Sequence, residues 1–337
     1  MPEVDAPSSS PNESQPARAP LVSVIIPVFN AASFIRGALE SVFAQSFTDY
    51  EVILINDGSS DTVQLEKAIQ PYASRIVYLT QENRGPSAAR NTGIRQARGA
   101  WLAFLDGDDT WLPNYLAEQL RFLTDDPSLD MVYCDARLEG DTNLEGKTFM
   151  QVCPSSGAVT FESLLFEKTQ VITSGTVVRT LNVTMAGLFD KEIHCSEDHD
   201  LWLRVVHTGG KIAYQQAVLL RRNIRCDSQG SAQANLLTGE IQTLKKLNRD
   251  LDLSPHTRAM LAQRLREIEF ALAYTKGKEF LLAGNRDQAY ESLNRANALA
   301  TNPRLRAALI SLRIAPRLTV LIARFWHSRK SSKAFRN

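Results

Sequence analysis

Short apolar runs alternate with helical patterns along the first third of the chain. Four runs are nearly continuous and rich in β-branched residues, as in strands that are buried on both faces; they cover residues 22–27, 51–56, 76–81 and 101–105. Segments with helical spacing of apolar positions lie between them, at 33–45, 61–70 and 86–98. This alternation predicts an α/β fold with an open, mostly parallel, Rossmann-like sheet and helices on both faces.

The pattern changes in the second half of the chain. Further strands are predicted over 131–135, 171–179 and 211–219, with a helix over 197–207. Only helical patterns follow, over 238–251, 255–282, 286–300 and 304–312. We therefore predict an α/β domain over 21–235 and an α-helical appendage over 236–312, part of which weakly resembles half of a tetratricopeptide repeat.

Composition adds limits at both ends. Residues 1–20 are rich in Pro and Ser and lack an apolar core, which predicts a disordered segment and no signal peptide. The sequence contains no uninterrupted run of 18 or more apolar residues, so no ordinary membrane-spanning helix is predicted. The four cysteines form no CxxC pair, so reduced thiols are expected rather than a disulfide framework or a zinc site.

The C-terminal end is basic although the net charge of the chain is only +1. From residue 301 onward there is no acid, and arginines and lysines alternate with apolar residues. For residues 313–337 this favours a basic amphipathic tail in contact with an anionic membrane surface. The alternative is a helix packed on the first domain with a disordered basic end. No nucleic-acid partner is expected, because no recognition module accompanies the charge.

Polar loops follow all four early strands, at 27–30, 56–61, 83–86 and 106–109. The carboxyl ends of parallel strands meet at one edge of a sheet, where ligands bind. The sharpest loop holds Asp106, Gly107 and Asp108, whose two carboxylates can reach one hard cation, Mg²⁺ or Mn²⁺, that would also hold phosphates. The alternative is a solvated turn in which Asp109 caps a helix over 111–123.

The other loops also leave two interpretations open. Asp57 can accept a hydrogen bond from a nucleotide base, or it can be part of a simple turn before a helix. Arg84 and Arg90 lie where phosphate charge would fall, beside a predicted helix start at Pro86, or they are surface charges.

A second acidic cluster, Glu197 and Asp198, begins the predicted helix at 197–207. The helix dipole alone favours acids there. A group-transfer enzyme also needs a carboxylate that takes the proton from an attacking hydroxyl. The nearby His194 and His199 are interpreted as polar residues rather than metal ligands.

Together these motifs resemble the inverting glycosyltransferases of family 2, which have a GT-A fold. The resemblance covers about 21–231 and rests on VSVIIPVFN at 22–30, ILINDGSSDT at 53–62, NRGPSAARNTGIRQARGAWLAFLDGDD at 83–109 and SEDHDLWLRV at 196–205. It implies that Asp57 reads uracil, that Asp106 and Asp108 hold the metal, with Asp106 also near the ribose, and that Asp198 is the catalytic base.

The resemblance further implies that Glu197 supports the base or touches the acceptor, and that Pro27, Asn30 and Arg90 border the nucleotide. One departure stands out. Many relatives carry a Tyr-Arg-x-His segment after the last strand, whose histidine approaches the metal. Residues 220–225 here read LRRNIR. Either the cation lacks that ligand, or an arginine contacts the diphosphate.

The implied activity is transfer of a sugar from a nucleotide-diphosphate donor, expected to be a UDP-sugar, to a hydroxyl of a polysaccharide or lipid-linked acceptor. A role in cell-envelope polysaccharide biosynthesis and a cytoplasmic or inner-membrane peripheral location would follow. One alternative is a non-catalytic nucleotide-sugar-binding or scaffold protein with a helical docking tail. A nucleotidyltransferase is disfavoured, because residues 27–33 offer no basic glycine-rich loop.

Overall fold

The computed structural model describes residues 18–140, 143–224, 233–300 and 303–315. Eight strands form one sheet in the order β3-β2-β1-β4-β7-β6-β8-β5. Their bounds are Val22–Val28 (β1), Tyr50–Asp57 (β2), Val77–Gln81 (β3), Trp101–Phe104 (β4), Thr110–Trp111 (β5), Met131–Gly140 (β6), Thr176–Arg179 (β7) and Ile212–Ile224 (β8).

The first four strands run parallel, so their carboxyl ends meet at one edge of the sheet. Strand β7 is antiparallel to both β4 and β6, whereas β6 and β8 are again parallel. Along β1, Val24 and Ile26 belong to the core on one face and Ile25 to the core on the other. The predicted α/β, mostly parallel sheet with two covered faces is confirmed.

Twelve helices are described, and they cover both faces of this sheet and extend beyond it. Their bounds are Ile35–Phe43 (α1), Thr62–Ile69 (α2), Pro86–Gln96 (α3), Tyr115–Asp125 (α4), Phe149–Val152 (α5), Phe161–Leu165 (α6), Thr180–Met185 (α7), Glu197–His207 (α8), Gln233–Asp250 (α9), Pro255–Ala283 (α10), Arg286–Leu299 (α11) and Pro303–Ile314 (α12). The bounds of α8 match the prediction residue for residue.

The helix predicted over 111–123 is present but begins later, and the predicted capping role of Asp109 is wrong. The chain first forms the two-residue strand β5, which pairs with β8, and α4 begins only at Tyr115. The Asp109 carboxylate instead accepts a hydrogen bond from the backbone N–H of Asn223 at 2.8 Å. Asp109 therefore ties the acidic loop to β8.

The strand predicted over 171–179 is shorter than expected, because a 3₁₀ turn occupies Thr173–Gly175 before β7.

The core does not divide at residue 235. Leu244 and Leu247 of α9, with Leu261 and Ile268 of α10, belong to the same cluster as Ile25. A separate cluster joins the end of α10 to α11 and α12. The domain boundaries named above stay predictions, and most of the predicted basic tail, residues 316–337, lies outside the described residues together with residues 1–17. None of the helices in the described ranges combines the length and the hydropathy needed to cross a bilayer.

Candidate active site

A cavity of about 540 Å³ opens at the edge where the parallel strands end. Eight of the nine predicted site residues line it: Pro27, Asn30, Asp57, Arg90, Asp106, Asp108, Glu197 and Asp198. Four loops after β1 to β4 and the start of α8 therefore converge on one space. The exception is Arg84, whose side chain is 68% exposed and lies 3.7 Å from Glu82.

Asp57 is buried at the end of β2, and its side-chain hydrogen bonds within the described part of the chain all reach one oxygen. Its Oδ1 accepts hydrogen bonds from Nε2 of Gln81 at 2.7 Å and from the backbone N–H of Arg84 at 3.0 Å. Arg84 thus contributes to the site through its backbone. Because both bonds reach Oδ1, Oδ2 is left to accept a hydrogen bond from a ligand.

The loops after β1 and β2 are joined by Asn30, which has a left-handed backbone (φ 51°). Its N–H donates to Oγ of Ser59 at 3.1 Å, and its Oδ1 accepts from the N–H of Ser60 at 2.8 Å. Asn tolerates this backbone region better than most residues. Asn30 therefore shapes the cavity wall even before any ligand binds.

The acidic loop packs tightly on the end of β1. A Cβ on Gly107 would lie 3.2 Å from Cγ2 of Val28 and 3.4 Å from the carbonyl oxygen of Pro27, which leaves little room for a side chain. The N–H of Asp106 donates to Oγ of Ser174 at 3.1 Å. Burial, followed by the charges of Asp106 and Asp108, raises the pKa of Asp109 to about 8. The loop thus brings three carboxyl groups together in a small volume.

Arg90 is buried rather than a surface charge. Its Nη2 donates to Oδ1 of Asp106 at 2.8 Å and its Nη1 to Oε1 of Glu197 at 2.9 Å. Its guanidinium carbon lies 5.3 Å from the ring centroid of Phe189. Burial alone would lower the pKa of Arg90, but the two carboxylates more than offset it and raise the pKa. The guanidinium is therefore committed to protein carboxylates.

The start of α8 presents the second pair of acids. Oδ2 of Asp198 accepts a hydrogen bond from Oγ1 of Thr173 at 2.8 Å, and Oδ1 accepts one from the N–H of His199. Burial raises the pKa of Glu197. The charge of Arg90 partly opposes this shift, and the charge of Asp198 reinforces it. His194 lines the cavity, whereas Nε2 of His199 lies 3.1 Å from the carbonyl oxygen of Leu164.

Several lining residues, among them Thr173 and Ser174, were not singled out from the sequence, and Arg222 was covered only as part of the segment 220–225. Thr173 and Ser174 orient Asp198 and Asp106 from a 3₁₀ turn that carries no recognisable motif. Arg222 stands in the segment where a histidine was missing, and it lines the cavity. Burial alone would raise the pKa of Asp106, but Arg90 and, more weakly, Arg222 lower it.

The acidic side chains of the cavity suit a cation that takes its remaining ligands from a substrate. Among the described residues no group of three or more His, Cys, Asp or Glu is arranged to hold a metal ion. Mg²⁺ is usually bound by one or two carboxylates, with water and substrate phosphates completing the shell. Asp106 and Asp108 are two carboxylates that line the cavity and are separated by one residue.

A family described as "Glycosyl transferase family 2" matches residues 23–191. The UDP-Glc:alpha-D-GlcNAc-diphosphoundecaprenol beta-1,3-glucosyltransferase WfgD of Escherichia coli is 29% identical over 227 residues, which cover 67% of this chain and 83% of that protein. An uncharacterized glycosyltransferase of Rickettsia prowazekii is 29% identical over 65% of this chain and 69% of its own length. The match spans only 30% to 35% of three other rickettsial relatives.

Two solved structures share the fold over nearly the whole chain. TarS 1-349 of S. aureus in complex with UDP-GlcNAc has a TM-score of 0.60 at 19% identity and covers 92% of both chains. The mannosyltransferase PcManGT from Pyrobaculum calidifontis, in complex with GDP-Man and Mn²⁺, has a TM-score of 0.59 at 18% identity, over 94% of this chain and 91% of that one. At these identities the likeness concerns the fold alone.

Proposed function

Because this chain belongs to glycosyl transferase family 2, we propose that it moves a sugar from a UDP-sugar to a hydroxyl of a polysaccharide or lipid-linked acceptor, with inversion at the anomeric carbon. The predicted family, the GT-A fold and the glycosyltransferase class are confirmed. One observation carries the finer proposal: Asp57 from the end of β2 and Asp106 and Asp108 from the loop after β4 share one cavity with Asp198 from α8.

The donor side of the proposal rests on Asp57. Its free Oδ2 can accept the N–H of a pyrimidine such as uracil, while Gln81 and Arg84 fix Oδ1. The names of WfgD and of the TarS complex both contain a UDP-sugar, whereas PcManGT was solved with GDP-Man. UDP is therefore the first nucleotide to test and GDP the main competitor.

The diphosphate of the donor would meet Asp106, Asp108 and Arg222. The two carboxylates would hold Mg²⁺ or Mn²⁺, which when bound supplies positive charge that stabilises the leaving diphosphate. Arg222 adds a guanidinium on the β8 side, and none of the ion pairs found within the described ranges involves it. The Arg222 guanidinium carbon lies 5.6 Å from the ring centroid of Phe149, and this contact, unlike the carboxylate contacts of Arg90, would leave its N–H groups able to bind a phosphate.

Asp198 is the proposed base. The acceptor oxygen attacks the anomeric carbon opposite the diphosphate, the bond from that carbon to the phosphate oxygen breaks, and its electron pair leaves with the nucleoside diphosphate. The acceptor proton goes to the Asp198 carboxylate, which Thr173 and the N–H of His199 hold in place. Glu197, fixed by Arg90, supports the start of α8.

The acceptor side is supported by a relative rather than by geometry. The name of WfgD specifies an acceptor linked through a diphosphate to undecaprenol. A lipid-linked acceptor would agree with the basic C-terminal sequence, which would favour contact with an anionic membrane surface.

The test is release of nucleoside diphosphate from UDP-Glc, UDP-GlcNAc, UDP-Gal and GDP-Man, with Mn²⁺, Mg²⁺ or EDTA. We expect metal-stimulated release from one or more UDP-sugars, and Asp198→Asn should lower it by about 10²-fold or more, as removal of a general base does. Asp125→Asn, an exposed acid of α4, is the matched control. Unchanged turnover in Asp198→Asn would exclude Asp198 as the base, and nucleotide binding without any turnover would favour the binding-protein alternative.

A further inference from the structure

Helix α9 lies outside the residues that match the family, yet it contacts the segment that leads into α8. A Cβ on Gly239 would lie 2.1 Å from the carbonyl oxygen of Cys195, so only glycine allows this approach. Three residues earlier, Leu236 lines the same cavity as Asp198. Helix α9 is therefore part of the wall of the site.

The two helices are also joined by a group of buried and partly buried charges. Nζ of Lys246 on α9 lies 2.6 Å from Oδ2 of Asp190 and 3.1 Å from Oδ2 of Asp200 on α8. Asp200 is fully buried and also accepts a hydrogen bond from Nε of Arg204 at 2.9 Å. Two acids and two bases balance one another, which is the condition for keeping such charges away from water.

This charge group is connected to the cavity through the backbone before Asp190. The Arg204 guanidinium donates to the carbonyl oxygens of Ala186 and Leu188. The next residue, Phe189, exchanges two hydrogen bonds with the Asn91 side chain: its N–H donates at 3.0 Å and its carbonyl oxygen accepts at 2.8 Å. Asn91 directly follows Arg90 in α3. The charge group therefore supports α3, which carries Arg90, and also α8, which carries its partner Glu197.

We propose that Lys246 is a positioning residue for the transfer reaction, acting through Asp200 on the first turns of α8 and so on Asp198. The proposal rests on the proposed function. Without Lys246, Asp190 and Asp200 face one arginine, and the repulsion between them displaces α8 near its start. A displacement of about 1 Å in a catalytic group can cost on the order of 10²-fold in rate. The UDP contacts at Asp57 lie on another element and are unaffected.

The experiment compares four full-length variants with the wild type: Lys246→Met, Lys246→Arg, the double variant Lys246→Met with Asp190→Asn, and Lys245→Met. Lys245 is the matched control, because it is the neighbouring lysine of α9, is 58% exposed and pairs with Glu269 instead of the Asp190 and Asp200 group. The readouts are Tm, UDP affinity by calorimetry, and kcat and KM for nucleotide release well below every Tm.

We expect Lys246→Met to lower kcat by about 10-fold or more, as a misplaced catalytic group does, while UDP affinity stays within about twofold. Lys246→Arg keeps the charge, and the double variant restores the balance by removing one acid, so both should recover most of kcat. Lys245→Met should match the wild type. If Lys246→Met does not fold, Lys246→Gln replaces it, with an intermediate kcat expected.

Different failures give different results. A lower Tm with unchanged kcat in Lys246→Met would make Lys246 purely structural and overturn the inference, as would a parallel loss of UDP affinity. A double variant no better than Lys246→Met would also overturn it. A wild type that turns over no donor contradicts the proposed function and this inference together, whereas an active wild type with an unaffected Lys246→Met contradicts the inference alone.

Discussion

Asp106 and Glu197 are held by the same buried guanidinium group. Arg90 reaches Asp106 at the end of β4 with one nitrogen, at 2.8 Å, and Glu197 at the start of α8 with the other, at 2.9 Å. The loop proposed to bind the donor and the helix proposed to carry the base therefore cannot move independently. Each carboxylate also offsets the cost of burying the arginine.

Replacing Arg90 by lysine tests this bridge. Lysine keeps the charge but lacks the fork that spans two carboxylates. We expect nucleotide release to fall about 30-fold, because a lost charge-assisted hydrogen bond costs about 2 kcal/mol, and we expect a lower Tm. Arg95→Lys, on the exposed side of α3, is the matched control. Activity and Tm both equal to those of the wild type would contradict a bridging role.

That the loops after β2 and β4 meet at one cavity could be predicted from the sequence, because the signals for it are local. Each buried strand ends in a polar loop, and parallel pairing then requires Asp57 and Asp106 to lie at one edge. Alternation along β1 between the two cores follows from the same strand geometry. These features depend on neighbouring residues and on a general property of parallel sheets.

Contacts between distant segments could not be predicted in the same way. Arg90 and Glu197 are 107 residues apart, and no periodicity or motif indicates that they meet. Asp109 resembled a helix cap, but tertiary pairing of β5 with β8 took precedence over that local preference. In the sequence Lys246 looks like any other helical lysine, and its ion pairs with Asp190 and Asp200 are visible only in the structure.

Asp57→Asn is expected to weaken donor binding more than turnover. The substitution replaces a carboxylate by an amide, so one hydrogen-bond acceptor becomes a donor at the proposed base contact. We expect KM for the UDP-sugar to rise about 10-fold, the equivalent of about 1.4 kcal/mol, with a smaller change in kcat. Asp49→Asn, an exposed acid before β2, serves as the control. A selective fall in kcat with constant KM would place Asp57 at the reacting atoms instead.

Arg222→Ala tests whether this arginine takes part in binding the diphosphate. Arg222 and Asp106 line the same cavity, so the guanidinium can act on a phosphate held there. We expect UDP affinity to fall about 10-fold, since a hydrogen bond to a charged group contributes about 1.5 kcal/mol, and we expect a higher requirement for Mn²⁺. The neighbouring Arg221→Ala, 57% exposed and paired with Glu139, should leave both unchanged. Equal effects of the two variants would point to general surface charge.

Glu240→Gln should change how stability depends on pH. Glu240 is buried beside Arg264, and burial raises its pKa above 4.5 even though Arg264 opposes the shift. Between the unfolded and the folded pKa the folded state holds more protons, so stability falls as pH rises. The Tm of Glu240→Gln relative to wild type should therefore increase as pH rises from about 4.5 and then level off.

Thermal unfolding from pH 4 to pH 8 measures this difference. Glu267→Gln is the control, because Glu267 is 47% exposed and lies 3.9 Å from the same arginine. Its Tm relative to wild type should stay constant over that range. If the Tm of Glu240→Gln relative to wild type instead decreased as pH rises, the charge of Arg264 would outweigh burial, and the pKa of Glu240 in the folded protein would be lowered.

The outer face of α12 leads to a prediction about membranes. Ile310 and Ile314, one turn apart, are 58% and 79% exposed, and the exposed Arg306 and Arg313 lie on the same helix. No acid occurs in the sequence after residue 300. Basic residues near an anionic bilayer contribute about 1 kcal/mol each. The full chain should therefore sediment with phosphatidylglycerol-containing vesicles, less so at high salt, and not with pure phosphatidylcholine.

Replacing both isoleucines by serine should weaken vesicle binding several-fold, because the apolar contact is lost while the charge is kept. The matched control is the pair Leu181→Ser and Met185→Ser on α7, which are equally spaced and 61% and 62% exposed but lie outside the basic segment. Equal losses in the two double variants would indicate non-specific adhesion. Binding to neutral vesicles as tight as to anionic ones would show that the basic residues have no part in it, because electrostatic attraction requires the anionic lipid.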